Sequence, residues 1–188
     1  IETPHAKAFA SLIKDDPANA TNKSCLPCHT VAYGYPGGYT PGNTALEGVQ
    51  CESCHGPGGV RHRTGIDKLP AIETTSVVCG GCQSVDQHPA YDDWKTSGHA
   101  QMDPDVASLF QNPTNGPANM VRCGSCHSGA MRAFLFTPWG NGSLDSAEAG
   151  REGIVCVGCH DPPAKTVHGH QLRNPLFSTN FYSVTPAT

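Results

Sequence analysis

The sequence has few of the residues that build an ordinary hydrophobic core. Of its 188 residues, 37% are hydrophobic and 7% are aromatic, whereas 21 glycines and 16 prolines interrupt regular structure. Long helices and strands are therefore unexpected, because glycine and proline both disfavour element interiors. We predict mostly coil with few short α-helices and minimal β structure. Something other than aliphatic side chains must fill the interior.

Basic charge and long apolar runs are also missing. The formal net charge is −4 and the isoelectric point is about 6.2, so no basic patch for nucleic acid is expected. No apolar run approaches the length of a membrane span. The first residues do not resemble a signal peptide. We expect a mature, soluble chain with no membrane span and no nucleic-acid partner.

Cysteine, by contrast, is abundant and regularly spaced. The ten cysteines form five Cys-x-x-Cys pairs, and four pairs are followed at once by histidine, which a disulfide framework does not require. On one helical turn, both thiols can bond the vinyl groups of a haem while the imidazole ligates its iron. Zinc sites also use paired cysteines, but they have no need of the adjacent histidine. The predicted attachment residues are Cys25, Cys28, Cys51, Cys54, Cys123, Cys126, Cys156 and Cys159, with His29, His55, His127 and His160 as proximal ligands.

We therefore predict four c-type haems, and each iron needs a second axial ligand. The remaining histidines are His5, His62, His88, His99, His168 and His170. They follow a two-copy pattern: one spare histidine precedes two motifs and another follows them, in repeat units of about 1–75 and 90–175 of a single domain, 1–188.

Two spare histidines per copy match two haems per copy. This predicts His5, His62, His99 and His168 as distal ligands. His170 is an alternative to His168, and His88, without a counterpart in the first copy, is either structural or an alternative ligand. The weaker alternatives are Met102, Met120 and Met131, because single methionines more often fill gaps.

The fifth cysteine pair, Cys79 and Cys82, is followed by Gln83 and not by histidine. A neutral amide is a poor iron ligand, so segment 76–89 is interpreted as a degenerate haem motif. The two thiols are then predicted to form a local disulfide in an oxidising compartment. A fifth haem with unusual ligation is the main alternative.

Three strings, at 48–58, 94–100 and 4–9, resemble the multihaem cytochromes that include hydroxylamine- and nitrite-handling enzymes. Within that superfamily, the chain is similar to four-haem extracellular cytochromes that polymerise into conductive filaments of the OmcE type. The resemblance implies coil wrapped round a continuous haem stack, and secretion to the outside of the cell with the signal peptide removed. A periplasmic location is the alternative.

The leading functional prediction is a non-enzymatic electron conduit that polymerises with copies of itself. In the two-copy pattern His5 has no haem before it, so it is predicted to ligate a haem of a neighbouring subunit. The alternatives are a monomeric periplasmic tetrahaem shuttle between redox donor and acceptor proteins, and an oxidoreductase of the nitrite or hydroxylamine type. The oxidoreductase requires an iron with an open position.

Overall fold

The computed structural model describes residues 2–56, 75–84, 88–136, 144–162 and 169–172. The chain divides into two compact units. The first comprises Ile1–Glu73 and Asp161–Gln171, and the second comprises Thr74–His160 and Leu172–Thr188.

The first unit contains short helices joined by long turns. Its α-helices are α1 (Ala8–Asp15), α2 (Leu26–His29) and α3 (Cys51–His55), and its 3-10 turns are Pro17–Thr21, Thr44–Leu46 and Gly169–Gln171. Helix α1 cannot continue past Asp16, whose backbone is extended just before a proline. Helix α1 is accordingly short, in line with the predicted short α-helices.

A small aromatic cluster forms the core of the first unit. Phe9 of α1, Leu26 of α2 and Tyr39 of the following loop are each at most 4% exposed. The rings of Phe9 and Tyr39 lie 5.5 Å apart between centroids, in a tilted arrangement that aromatic pairs favour. This cluster fixes α1 against the first attachment motif.

The second unit carries more helix. Its helices are α4 (Val77–Gln83), α5 (Ala90–Thr96), α6 (Pro104–Phe110), α7 (Gly116–His127), α8 (Gly129–Phe136) and α9 (Ser146–Ala149), with 3-10 turns at Gly98–Ala100 and Cys156–Gly158. A capping side chain marks the start of α6: the Asp103 carboxylate accepts hydrogen bonds from the backbone N–H groups of Asp105 and Val106. Phe110, Met120, Met131 and Ala149 form the apolar core.

The described residues contain no β-strand, and their only backbone bridges are Thr30 with Glu47 and His160 with Leu172. The prediction of coil and short helices with minimal β structure is therefore confirmed for this part of the chain. Among these same residues, no helix combines the length and apolar character that crossing a membrane requires.

Candidate haem-binding sites

The first motif occupies a single helical turn that is fixed from both sides. Cys25 and Cys28 are half-buried, while Leu26 between them is 1% exposed in the apolar core. The His29 ring lies next to α1, with Nδ1 2.9 Å from the Ala8 carbonyl oxygen. A carbonyl only accepts, so Nδ1 must carry the proton. Nε2 is then the lone-pair nitrogen, which is the arrangement that second-shell hydrogen bonds give to metal-ligating histidines.

The second motif coincides with α3. Gln50 precedes it and forms a capping box with Ser53, and the Gln50 amide also donates to the carbonyl oxygens of Ala45 at 2.7 Å and Glu47 at 3.2 Å. The helix ends at His55 and is followed by Gly56, whose φ of +71° is strained for other residues. Cys51 and Cys54 are both exposed, so their thiols are accessible to a haem vinyl group.

The third motif forms the last turn of α7. Cys126 and His127 are exposed, whereas Cys123 is half-buried and packs against the core of the second unit. The next residue, Ser128, is fully buried and donates to the Ala149 carbonyl oxygen. The helix is therefore interrupted by a buried polar contact immediately after the motif histidine.

The fourth motif begins as a 3-10 turn, Cys156–Gly158, and ends at half-buried His160. The segment that leads into α4 holds the start of this motif, because the Cys156 N–H donates to the Ser76 hydroxyl at 3.0 Å. A hydrogen bond with the Cys79 thiol lowers the pKa of the Cys156 thiol to about 6, and Ser76 and His160 act in the same direction. The fifth cysteine pair therefore lies beside the fourth attachment motif, a proximity that no sequence pattern predicts.

His5, a predicted distal ligand, lies close to both motifs of the first copy. It is half-buried, three residues before the Ala8 carbonyl that contacts His29. Its own carbonyl accepts from the Val49 N–H at 2.8 Å, two residues before Cys51. The His5 Nδ1 atom is buried and has no hydrogen-bond partner. A buried imidazole nitrogen of this kind is costly unless something binds it, and an iron atom would do so.

His99, the predicted counterpart of His5, is held by the same kind of backbone hydrogen bond. Its carbonyl accepts from the Ile154 N–H at 2.6 Å, two residues before Cys156. The Ser97 hydroxyl accepts from the His99 N–H at 3.2 Å and caps the 3-10 turn that carries the histidine. The His99 ring is exposed.

A glycine makes each of these two backbone contacts possible. A Cβ atom on Gly48 would lie 2.3 Å from the Ala6 carbonyl oxygen, and one on Gly153 would lie 2.2 Å from the His99 carbonyl oxygen. Sequence reasoning did not assign either glycine a role. The available signal was the pattern Glu-Gly followed by a β-branched residue, which precedes both the second and the fourth motif.

The other predicted ligands are less informative. His88 and His170 are exposed, and His170 adopts a φ of +57°. The predictions for His62 and His168 fall outside the described residues. Of the weaker alternatives, Met120 and Met131 are at most 8% exposed within the apolar core, and Met102 packs against that core.

The ten cysteines are not joined by disulfides in the structure, and Cys79 and Cys82 both lie in helix α4. The predicted disulfide between these two residues stays a prediction.

The residues present fit c-type haem. Each motif places two accessible or half-accessible thiols and an imidazole within about one helical turn. The tautomer that the Ala8 carbonyl imposes on His29 suits iron ligation, and His5 supplies a buried nitrogen in need of a partner. Such haems would supply one-electron redox chemistry at their irons.

The repeated attachment motifs are those of multihaem c-type cytochromes, and similarities to known proteins support this class for the chain. Residues 2–56 match the family described as cytochrome c554 and c-prime. Cytochrome c-554 of Nitrosomonas europaea is 43% identical to this chain over 72 residues, which cover 30% of this chain and 31% of that protein.

Two further similarities extend over most of the chain. The multiheme cytochrome MtrA of Shewanella baltica is 28% identical over 181 residues, which cover 85% of this chain and 51% of that protein. An undecaheme cytochrome from the S-layer of Carboxydothermus ferrireducens is 26% identical with a TM-score of 0.49, covering 80% of this chain and 27% of that one. The chain thus spans about half or less of the length of these curated relatives.

Proposed function

We propose that the chain transfers electrons through four covalently bound c-type haems, each ligated by two histidines, as a subunit of an extracellular conductive filament. The electron-transfer part of this proposal is supported by a backbone hydrogen bond that His5 and His99 have in common. Each histidine backbone is hydrogen-bonded to the residue two positions before the second motif of its half of the chain. Spare histidines are therefore held beside attachment motifs in both halves.

Two histidines per iron favour a carrier over an enzyme. An iron with both axial positions filled by protein has no position for substrate, so it only accepts and releases electrons. The protein should pass them between a redox donor and a redox acceptor. An oxidoreductase acting on nitrite or hydroxylamine would need at least one iron with an open position.

Intact mass and visible spectra of the matured protein test this proposal. The expected mass is that of the chain plus four haems, and the expected spectrum is that of low-spin haem alone. A mass corresponding to fewer than four haems would contradict the haem count. A high-spin component in the native protein would instead favour the oxidoreductase.

The filament part of the proposal rests on the resemblance to four-haem cytochromes that polymerise. It also rests on the two-copy order of motifs and spare histidines, in which His5 has no haem before it along the chain. The alternative is a monomeric periplasmic shuttle, in which His5 ligates a haem of its own chain. Substitution of His5 therefore distinguishes the filament from the monomeric shuttle.

Negative-stain electron microscopy of the secreted protein and of the His5→Ala variant makes the distinction. If His5 ligates a neighbouring subunit's haem, wild-type filaments should be lost in His5→Ala and retained in the matched control, His88→Ala. Filaments that persist in His5→Ala would rule out this role. A wild-type protein that stays monomeric would support the shuttle.

A further inference from the structure

Arg132 of helix α8 bonds two haem-attachment motifs at once. Its Nε donates to the Gly158 carbonyl oxygen at 2.8 Å, and its Nη1 donates to the Ser125 carbonyl oxygen at 2.8 Å. Ser125 and Gly158 hold the same position in the third and fourth motifs, immediately before the second cysteine. One guanidinium therefore joins equivalent points of two adjacent attachment loops.

The backbone around this side chain is shaped to admit it. A Cβ atom on Gly158 would lie 2.9 Å from Cδ and 3.4 Å from Nε of Arg132. A Cβ atom on Gly129, the first residue of α8, would lie 2.5 Å from the Gly153 carbonyl oxygen. Helix α8 thus packs directly on the segment that leads into the fourth motif, and neither glycine can be enlarged without displacing a neighbour.

The guanidinium is also a buried positive charge. Arg132 is 5% exposed, and an arginine side chain stays charged under all physiological conditions. Water and salt screen a buried charge weakly, so its field reaches neighbouring groups. Oxidation of a haem adds one positive charge at the iron, and a nearby fixed cation therefore favours the reduced form.

The first half of the chain has a glycine at the corresponding position. Arg132 lies five residues after the third motif's histidine, and the residue five positions after His29 is Gly34. Gly34 has a φ of +87°, and a Cβ atom placed on it would meet no other atom within 4 Å. At this position, the two halves therefore differ in one fixed charge and in one link between motifs.

We propose that Arg132 is a positioning residue that sets the spacing of the third and fourth haems and raises the reduction potentials of both. This inference rests on the proposed function only in that motifs 123–127 and 156–160 carry haem. Electrons are then stabilised on the second pair of haems relative to the first. The bonds fix how closely the two haems approach, and the charge sets their potentials.

The test compares three full-length, haem-loaded variants. Arg132→Met removes the charge and both hydrogen bonds, whereas Arg132→Lys keeps the charge and loses the forked geometry. Arg122→Met is the matched control, because Arg122 is exposed and directly precedes Cys123. Intact mass first establishes four haems in each variant. Potentiometric titration then gives the four midpoint potentials, and electron paramagnetic resonance of the oxidised protein reports the magnetic coupling between haems.

In Arg132→Met, two of the four midpoint potentials should fall while the other two stay unchanged, and the coupling between haems should change. Arg132→Lys should keep the potentials and change the coupling, and Arg122→Met should change neither. Wild-type potentials in Arg132→Met, or a shift no larger than that of Arg122→Met, would overturn the inference.

A second variant covers the case in which Arg132→Met does not retain four haems. Gly158→Ala displaces the guanidinium without removing its charge, so it should keep four haems and alter the coupling. Unchanged coupling in Gly158→Ala would overturn the positioning role. A wild-type protein with fewer than four haems would instead count against the proposed function, so the two failures are distinguishable.

Discussion

A c-type haem needs its proximal histidine in one tautomer and one orientation. At the first motif, a main-chain carbonyl supplies this control, because the Ala8 oxygen lies 2.9 Å from the His29 Nδ1 atom. A backbone acceptor cannot be removed by side-chain substitution, so this feature depends on the position of α1. Packing of Phe9 in the same helix, at 4% exposure, fixes that position.

The predicted role of His99 as a distal haem ligand can be tested by substitution. In the haem-loaded His99→Ala variant, four haems should still be attached, because attachment uses the cysteines and the proximal histidine. One haem should change from low-spin to high-spin, since its iron loses an axial ligand. Visible and electron paramagnetic resonance spectra measure this change.

His88→Ala is the matched control for His99→Ala. Both residues are exposed and lie in the same unit, but His88 has no counterpart in the first half of the sequence. Its spectrum should equal that of the wild type. A high-spin haem in His88→Ala, with His99→Ala unchanged, would assign the ligand role to His88.

At the scale of elements, short segments are joined in pairs by close backbone contacts. The segment before the second motif meets the segment that carries His5, and the segment before the fourth motif meets His99. Gly48 and Gly153 allow this approach, because a Cβ atom at either position would overlap a carbonyl oxygen. Each pair brings a candidate distal histidine to the second motif of its own half of the chain.

Gly153→Ala should therefore destabilise the protein by about 1–3 kcal/mol, the range typical of overpacking a tight contact. Thermal unfolding of the haem-loaded protein, followed by circular dichroism, measures the effect. Because the His99 backbone is displaced, a high-spin haem component should appear at the same time.

Gly98→Ala is the control for Gly153→Ala, since a Cβ atom at Gly98 meets nothing within 4 Å. Its unfolding temperature and spectrum should stay close to those of the wild type. Equal losses in the two variants would show that the close contact at Gly153 has no special effect.

At the scale of the whole molecule, ten cysteines have to be divided among haems and other bonds. Eight lie in the four attachment motifs, and Cys79 and Cys82 remain. The Cys79 thiol is hydrogen-bonded to the Cys156 thiol, so the spare pair lies beside a haem-attachment cysteine. A disulfide between Cys79 and Cys82 would prevent Cys79 from forming a disulfide with Cys156 in place of the bond between Cys156 and haem.

We expect peptide mapping of the matured protein to find Cys79 bonded to Cys82 and Cys156 bonded to haem. The intact mass should be lower than that of the dithiol form by the two hydrogen atoms lost on oxidation. The Cys79→Ser and Cys82→Ser double variant should keep four haems. A haem bonded to Cys79, or a disulfide between Cys79 and Cys156, would contradict this prediction.

The chemistry of haem attachment follows from local sequence alone. Cys-x-x-Cys-His is a short pattern, and one helical turn brings its thiols and imidazole together whatever the rest of the fold does. The scarcity of strand among the described residues likewise agrees with composition, because glycine and proline disfavour regular structure at their own positions.

Which segments meet one another is, by contrast, a property of the folded chain. Arg132 between Ser125 and Gly158, Ala8 against His29, and Cys79 beside Cys156 all join residues that no short motif contains together. Such contacts depend on the packing of whole helices and on glycines that let backbones approach. No local pattern holds that information, because the free energy of each contact is set by a partner elsewhere in the chain.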